Sequence, residues 1–170
     1  LSGGSISFFQ SIAYASPFFV MSALFYPVQL LLAGMYAKYF GLSLTVIASI
    51  VFAARLFDAV TDPLIGYLSD HYRLKWGTRK PFIIAGGVCL IISSYFLYVP
   101  PKDVTALYFL VWYFAFYLSW TLMDIPHLAW AGELVDYSSK RTQLYSLRHF
   151  CFEAGALLFV IAPMLPFFAG

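Results

Sequence analysis

The sequence predicts an all-α protein, a polytopic bundle of transmembrane helices, and three observations support this. Of its 170 residues, 62% are hydrophobic and only 11% are charged, whereas a soluble domain carries about 25% charged residues. Its mean hydropathy is +0.80. Long apolar segments alternate with short polar connections. A single globular core cannot bury so much apolar surface, so we expect an integral membrane protein.

Five apolar segments follow one another, and each has about the 20 residues that cross ~30 Å of hydrocarbon. They cover residues 6–36, 42–68, 81–99, 104–130 and 147–168. The connections between them are short, so neighbouring helices are predicted to run antiparallel. Because the sequence has no initial Met, we expect it to begin within, or just before, the first helix region of a larger protein. Five helices also make an odd set for a bundle. Its other helices are then missing from this sequence or supplied by partners.

Basic residues are distributed unevenly over the four connections, and this predicts the orientation. The second and fourth connections hold Arg73, Lys75, Arg79, Lys80, Lys140 and Arg141, whereas the first and third hold only Lys38 and Lys102. Short loops rich in Lys and Arg face the cytoplasm. The amino end is therefore predicted to be cytoplasmic.

Several functional classes are excluded by the composition and the motifs. The net charge is only +2 and the Lys and Arg residues form no basic stripe, so we expect no nucleic-acid partner. Cys89 and Cys151 lie in apolar segments and are predicted to be packing residues. The sequence has no nucleophile–base pair, metal-ligand spacing or phosphate-binding loop, so we expect neither an enzyme nor a cofactor.

The second segment carries three charged residues in the stretch RLFDAVTD, namely Arg55, Asp58 and Asp62. Their spacing of i, i+3 and i+7 puts them on one face of a helix. An ionised carboxylate facing lipid would cost several kcal/mol, so both acids must face protein or a water-filled cavity. Arg55 can serve as the structural charge partner of one acid only, which leaves one negative charge unexplained.

Three arrangements would accommodate the remaining acid. One carboxyl group stays protonated, a basic group on another helix pairs with it, or a small monovalent cation lies between Asp58 and Asp62. For a cation, two carboxylates supply up to four oxygen ligands, and the hydroxyls of Thr61 and of Thr121 on the fourth helix can add to them. The alternative is an interhelical salt-bridge cluster that only fixes packing, although intramembrane ionisable residues are functional by default.

The last two segments carry further polar residues. Pro126 frees a backbone carbonyl that needs protein or water nearby, so the adjacent Asp124 is predicted to face the polar interior. Asp124 could bind substrate hydroxyls, couple to the cation site or pair with Arg148. His127 could titrate near neutral pH or be a packing or interfacial histidine. Glu153 could be a further acid of the cavity or a partner of Arg148.

The connection GYLSDHYRLKWGTRKP has a spacing of its own. Gly66 leaves room for close helix packing, Asp70 can pair with a basic residue, and Gly77 suits a turn with positive φ. A conformational latch between helices is one interpretation. Ordinary positive-inside topology is the other, and it explains the charges but not the Gly–Asp spacing.

Two separated stretches resemble one family. The stretch ARLFDAVTDPLIGYLSDHYRLKWGTRKPFI resembles the second-helix signature of the glycoside-pentoside-hexuronide:cation symporters, the melibiose permease family of the major facilitator superfamily. The stretch LMDIPHLAWAGELVDYSSKRTQLYSLRHF resembles its fourth-helix motif and the following loop. The similarity implies a transporter of twelve helices, of which this chain is the amino-terminal part with about five.

The resemblance also implies roles for individual residues. It places the coupling-cation site at Asp58 and Asp62, with Thr61 between them and Thr121 opposite. Asp124 matches the family's substrate-binding aspartate, whereas the family's first-helix aspartate falls near Ser22, and no acid occurs before Asp58. The candidates for substrate binding or coupling are Asp124, Arg148, Ser22 and His127.

We therefore predict a secondary active transporter that couples symport of a small organic solute, a sugar or glycoside, to Na⁺ or H⁺, with Li⁺ as a further option. Its expected location is the plasma membrane, the inner membrane of a bacterium. Its expected partners are the substrate, the lipid bilayer and the carboxyl-terminal half of the transporter. The alternatives are a sodium-dependent lysophospholipid-type carrier, a carrier of cationic substrates without ion coupling, and a receptor or assembly subunit that does not transport.

Overall fold

The computed structural model describes residues 7–135 and 138–161, and within these ranges the chain forms α-helices with short connections. The helices are α1 (Phe8–Ala15), α2 (Pro17–Leu30), α3 (Leu32–Phe40), α4 (Leu44–Trp76), α5 (Lys80–Tyr98), α6 (Ala106–Leu134) and α7 (Ser138–Ile161). Within the described residues, five stretches are long and apolar enough to span a membrane: α1 with α2, α4, α5, α6 and α7. The predictions of an all-α fold and of five transmembrane helices are confirmed.

The first predicted segment is not one continuous helix. Pro17 is the first residue of α2 and lacks the N–H that would bond to the Ala13 carbonyl. The Ser16 hydroxyl donates to that carbonyl instead, at 3.4 Å. A second break follows at Leu31, one turn after Pro27 within α2. The sequence pattern missed these breaks because apolar residues continue through them.

The second predicted segment is extended by eight residues, since α4 ends at Trp76 rather than at Leu68. The helix continues because no Pro or Gly occurs between Leu68 and Gly77, and Arg73 and Lys75 in its last turn interact favourably with the helix dipole. Gly77 then ends the helix with φ 75°. Only residues 77–79 connect α4 to α5.

The predicted loop between the fourth and fifth segments is also largely helical. Helix α6 ends at Leu134, and α7 begins at Ser138, nine residues before the predicted start. Arg141 Nη2 donates to the carbonyls of Gly132 and Val135 at 3.3 and 3.4 Å. These bonds satisfy acceptors that a helix end leaves open. Residues 162–168 of the fifth predicted segment lie outside the described residues.

The chain divides into two compact units, residues 1–31 with 131–170 and residues 32–130, and the boundary falls within α6. In the first unit, α2 packs against α7 at a glycine. A Cβ built on Gly155 would overlap the Ser22 hydroxyl and the Phe19 carbonyl. Within a membrane, helices associate through such close packing of small residues rather than through the hydrophobic effect.

The second unit contains α3, α4, α5 and most of α6. The buried Tyr36 of α3 donates to the Leu97 carbonyl of α5 at 2.9 Å and packs its ring 4.6 Å from Phe109 of α6. Helices α5 and α6 approach most closely at Gly86, where an added Cβ would lie 2.6 Å from the Met123 backbone nitrogen. This contact fixes the part of α6 that carries Thr121 and Asp124.

Candidate cation site between helices α4 and α6

Helices α4 and α6 run in the same direction through the second unit, and their contacts advance together. Ring centroids of Phe57 and Phe114 are 5.1 Å apart. Further along, Asp62 contacts Thr121, and Gly66 faces Ile125. Since α4 is unbroken through Pro63, the spacing of its charged residues places them along this seam.

Asp62 has a hydroxyl partner on the opposite helix. The Thr121 hydroxyl donates to Asp62 Oδ1 at 2.9 Å, and Thr121 is only 4% exposed. The structure thus brings together two of the residues that the sequence singled out from different segments. The hydrogen bond leaves the second oxygen of Asp62 and the hydroxyl lone pairs of Thr121 as potential ligands.

Asp58 is less completely satisfied. Its Oδ2 lies 3.6 Å from Arg55 Nη1, an ion pair longer than a good charge-assisted hydrogen bond of about 2.8 Å. Its Oδ1 is buried and has no hydrogen-bond partner among residues 7–135 and 138–161. A buried carboxylate oxygen without a partner costs on the order of 1–3 kcal/mol or more, so it calls for an ion or a water as partner.

The buried Thr61 uses its hydroxyl proton within α4. It donates to the carbonyls of Phe57 at 3.0 Å and of Asp58 at 3.4 Å. This local bonding is common for threonine in helices and leaves the oxygen lone pairs available. The contribution of Thr61 to a cation site stays a prediction.

Arg55 has a partner that the sequence analysis missed. Its Nη2 donates to the hydroxyl of Tyr117 at 3.0 Å, and its guanidinium carbon lies 4.6 Å from the centroid of the same ring. Tyr117 lies one helical turn before Thr121 and therefore on the same face of α6. This spacing relative to Thr121 could have indicated that Tyr117 faces α4, but in a chain with 21% aromatic residues a single tyrosine does not stand out.

Two further candidates lie on α6 in the same unit. Asp124 is half-buried and comes three residues after Thr121, so both project from adjacent positions on one helix face. His127 is 2% exposed, and its ring forms an edge-to-face contact with Trp130 at 6.0 Å. Their roles in substrate binding or coupling stay predictions.

The candidates of the first unit have packing and ionic contacts of their own. The Ser22 hydroxyl donates to the Phe19 carbonyl at 2.8 Å, within the close approach to Gly155. Arg148 lies eleven residues into α7 rather than at its start, with its guanidinium carbon 3.8 Å from the Phe18 ring centroid. The predicted substrate contacts of Ser22 and Arg148 stay predictions.

Glu153 on α7 has partners other than the ones considered from the sequence. The Tyr26 hydroxyl of α2 donates to its Oε2 at 3.2 Å, and His149 Nε2 lies 3.7 Å from its Oε1. Its side chain is half-exposed. These contacts join α2 to α7 within the first unit.

Asp70 takes part in a charged contact at the junction of α4 and α5. Arg79 is 7% exposed, donates to the Ser69 hydroxyl at 3.1 Å and forms an ion pair with Asp70. Burial of the guanidinium is tolerated because both partners accept hydrogen bonds from it. The contact joins the two helices, as the latch interpretation requires, but whether it opens during function stays a prediction.

Comparison with known proteins identifies relatives over most of the chain. A family model described as MFS/sugar transport protein matches residues 13–170. The chain is 34% identical over 130 residues to "Putative glycoside/cation symporter YagG" of Escherichia coli, covering 75% of this chain and 28% of the relative. No solved structure matches.

Two other relatives cover more of this chain. It is 26% identical over 158 residues to the "Inner membrane symporter YicJ" of Escherichia coli, covering 91% of this chain and 34% of the relative. It is 23% identical over 167 residues to the "Isoprimeverose transporter" of Lactiplantibacillus pentosus, covering 95% and 35%. The chain therefore spans about a quarter to a third of the length of these relatives.

The sequence predicted a transporter and not an enzyme, and these relatives are transporters. The five apolar helices make the chain an integral, multi-pass membrane protein. The match of the family model begins within the first of those spans and extends over the other four. The resemblance noted from the two motifs is confirmed at the level of the family. The chain belongs to the MFS/sugar transport protein family of the major facilitator superfamily.

Proposed function

We propose that the chain is the amino-terminal part of a symporter that couples uptake of a sugar or glycoside to Na⁺ or H⁺, with Li⁺ as a further coupling ion. The remaining helices come from the carboxyl-terminal half of the same transporter. The observation that carries the proposal is the buried Asp58 Oδ1, which lacks a hydrogen-bond partner among the described residues. The names of the relatives, a putative glycoside/cation symporter and an isoprimeverose transporter, support this substrate class.

The residues between α4 and α6 fit a monovalent cation. Hard cations prefer oxygen ligands, and here Asp58 and Asp62 supply carboxylates while Thr121 supplies a hydroxyl already in contact with Asp62. These groups come from two helices of one unit. The ion is a transported species, so the ligand set has to release it as well as bind it.

Coupling follows from the charges. The two carboxylates repel one another across one helical turn, and Arg55 offsets only one of them. A bound cation removes the remaining excess charge, which lowers the cost of closing the cavity around the substrate. Asp124, three residues after Thr121, is the residue through which we expect the cation site to affect the substrate.

The experiment is uptake by the complete transporter in proteoliposomes. Isoprimeverose and a methyl glycoside serve as probes, with an inward gradient of Na⁺, Li⁺ or H⁺, or with all gradients collapsed. We expect at least about fivefold stimulation by one of these cations, because a coupling energy of about 1–3 kcal/mol changes affinity 5- to 150-fold. Equal uptake with and without gradients contradicts ion coupling, and absence of substrate counterflow indicates a receptor or assembly subunit.

We further propose that the protein lies in a bacterial inner membrane with its amino end in the cytoplasm. The basic residues at the end of α4 and the start of α5 support this orientation. The name of the relative YicJ, an inner membrane symporter, supports the location.

A labelling experiment tests the orientation. In a background with Cys89→Ser and Cys151→Ser, the exposed Lys75 and Lys102 are replaced singly by cysteine. A membrane-impermeant maleimide is expected to label the Lys102→Cys variant in intact cells, and the Lys75→Cys variant only after permeabilisation. The reverse pattern would place the amino end outside.

A further inference from the structure

Arg55 contacts both the Tyr117 hydroxyl and the Asp58 carboxylate, and its contact with the hydroxyl is the shorter one. Nη2 donates to the Tyr117 hydroxyl at 3.0 Å, whereas Nη1 lies 3.6 Å from Asp58 Oδ2. The guanidinium also lies near the face of the Tyr117 ring, at 4.6 Å. A relaxed Arg–carboxylate pair would instead be bidentate, with both distances near 2.8 Å. The guanidinium is therefore held away from its natural counterion.

The Tyr117 side chain is held more rigidly than the Arg55 side chain that it contacts. It is 2% exposed, and its ring packs 4.9 Å from Tyr113 and 5.6 Å from Phe116. The Tyr113 hydroxyl donates to that of Tyr117 at 3.4 Å. The Arg55 side chain, by contrast, is 47% exposed and has a long flexible stem. The position of the fixed phenol thus determines the position of the mobile guanidinium.

We propose that Tyr117 is a positioning residue that holds Arg55 short of bidentate pairing with Asp58 and so leaves Asp58 Oδ1 unpaired as a ligand for the coupling cation. The inference rests on the proposed function, because it assigns a regulator to the same site. Without the hydroxyl of Tyr117, the second guanidinium nitrogen has Asp58 as a neighbouring acceptor. Arg55 then competes with the cation for that carboxylate. Asp62, the other acid of the site, is engaged by Thr121 on α6.

The test is the Tyr117→Phe variant of the complete transporter, which retains the ring and its packing but loses the hydroxyl. The concentration of the stimulating cation that gives half-maximal uptake is expected to rise about three- to tenfold, in line with one altered hydrogen bond. The maximal rate at saturating cation should stay within about twofold of wild type, because the competition is then overcome.

Tyr108→Phe is the matched control. Tyr108 lies on the same helix and loses the same group, but its hydroxyl donates to the Phe96 carbonyl of α5 at 2.7 Å rather than to the Tyr117 and Arg55 pair. Its half-maximal cation concentration should change less than about twofold. In an Arg55→Gln background, Tyr117→Phe should add no further change, since the competing guanidinium is gone.

The outcomes separate the inference from the proposed function. A wild-type protein that no cation stimulates, or an Asp58→Asn variant that keeps full stimulation, overturns the proposed function and the inference with it. If wild type and Asp58→Asn behave as expected, two results overturn the inference alone. The first is a half-maximal cation concentration that stays unchanged in Tyr117→Phe. The second is a rise in that concentration on Tyr117→Phe that is equally large in the wild-type and in the Arg55→Gln background.

Discussion

Asp58→Asn is expected to abolish cation-stimulated uptake, with a loss of cation affinity of about 100-fold or more. Asparagine keeps the shape of the side chain but removes the negative charge and replaces one oxygen by an NH₂ group, which cannot bind a cation. Losing a buried charged partner costs about 2–5 kcal/mol, and about 3 kcal/mol corresponds to 100-fold in affinity. The measurement is initial uptake of isoprimeverose against cation concentration. Asp62→Asn is expected to have the same effect because it removes the second carboxylate.

Two controls make this result specific. Asp103→Asn removes an exposed aspartate from the connection between α5 and α6, and it should leave cation dependence unchanged. Substrate counterflow at equal substrate concentrations should persist in Asp58→Asn, which would show that the protein still folds and moves its substrate. Normal cation dependence in both Asp58→Asn and Asp62→Asn would refute the assignment of the site.

Gly86→Val is expected to be strongly damaging although it removes no charged residue. A Cβ at this position would lie 2.6 Å from the Met123 nitrogen and 2.9 Å from the Leu122 carbonyl carbon. These are backbone atoms of α6, so no side chain can move aside and the helices themselves must separate. Overpacking of this kind costs about 1–3 kcal/mol or more. We expect a lower melting temperature in detergent and at least tenfold slower uptake, since residues 122–123 lie between Thr121 and Asp124.

Gly87→Val is the matched control for this substitution. A Cβ on Gly87 would lie 3.7 Å from the Met123 sulfur, an ordinary contact with the flexible end of a side chain. Both variants replace a glycine of α5 by the same β-branched residue, so the intrinsic helix propensity changes equally in both. Similar melting temperatures for the two variants would contradict the assigned packing of α5 against α6.

The helices were largely predictable, and the errors have a common cause. Hydropathy marks where the chain lies in hydrocarbon, but a helix continues into water until a residue stops it. Helix α4 therefore extends to Gly77, and α7 begins at Ser138 within a polar stretch. The break at Ser16, by contrast, is local backbone chemistry at Pro17, which apolar composition does not reveal.

The candidate site was predictable in part. Spacing alone placed Arg55, Asp58 and Asp62 on one face, because helical periodicity is a property of a single segment. The contact of Asp62 with Thr121 was expected only as a possibility and is present in the structure. Tyr117 was not singled out, because a tyrosine in an aromatic-rich helix has no distinctive pattern until its neighbour on another helix is known.

The amino-acid sequence was sufficient to establish the membrane class, the five apolar spans, the family and the face of α4 that carries its charges. Each of these depends on residues within one segment or on motifs of fixed spacing. The partners of those charges needed three-dimensional coordinates, namely Thr121 for Asp62 and Tyr117 for Arg55. Such pairs lie about 60 residues apart in the chain, and the rotation and approach of packed helices, limited by glycines such as Gly86, bring them together.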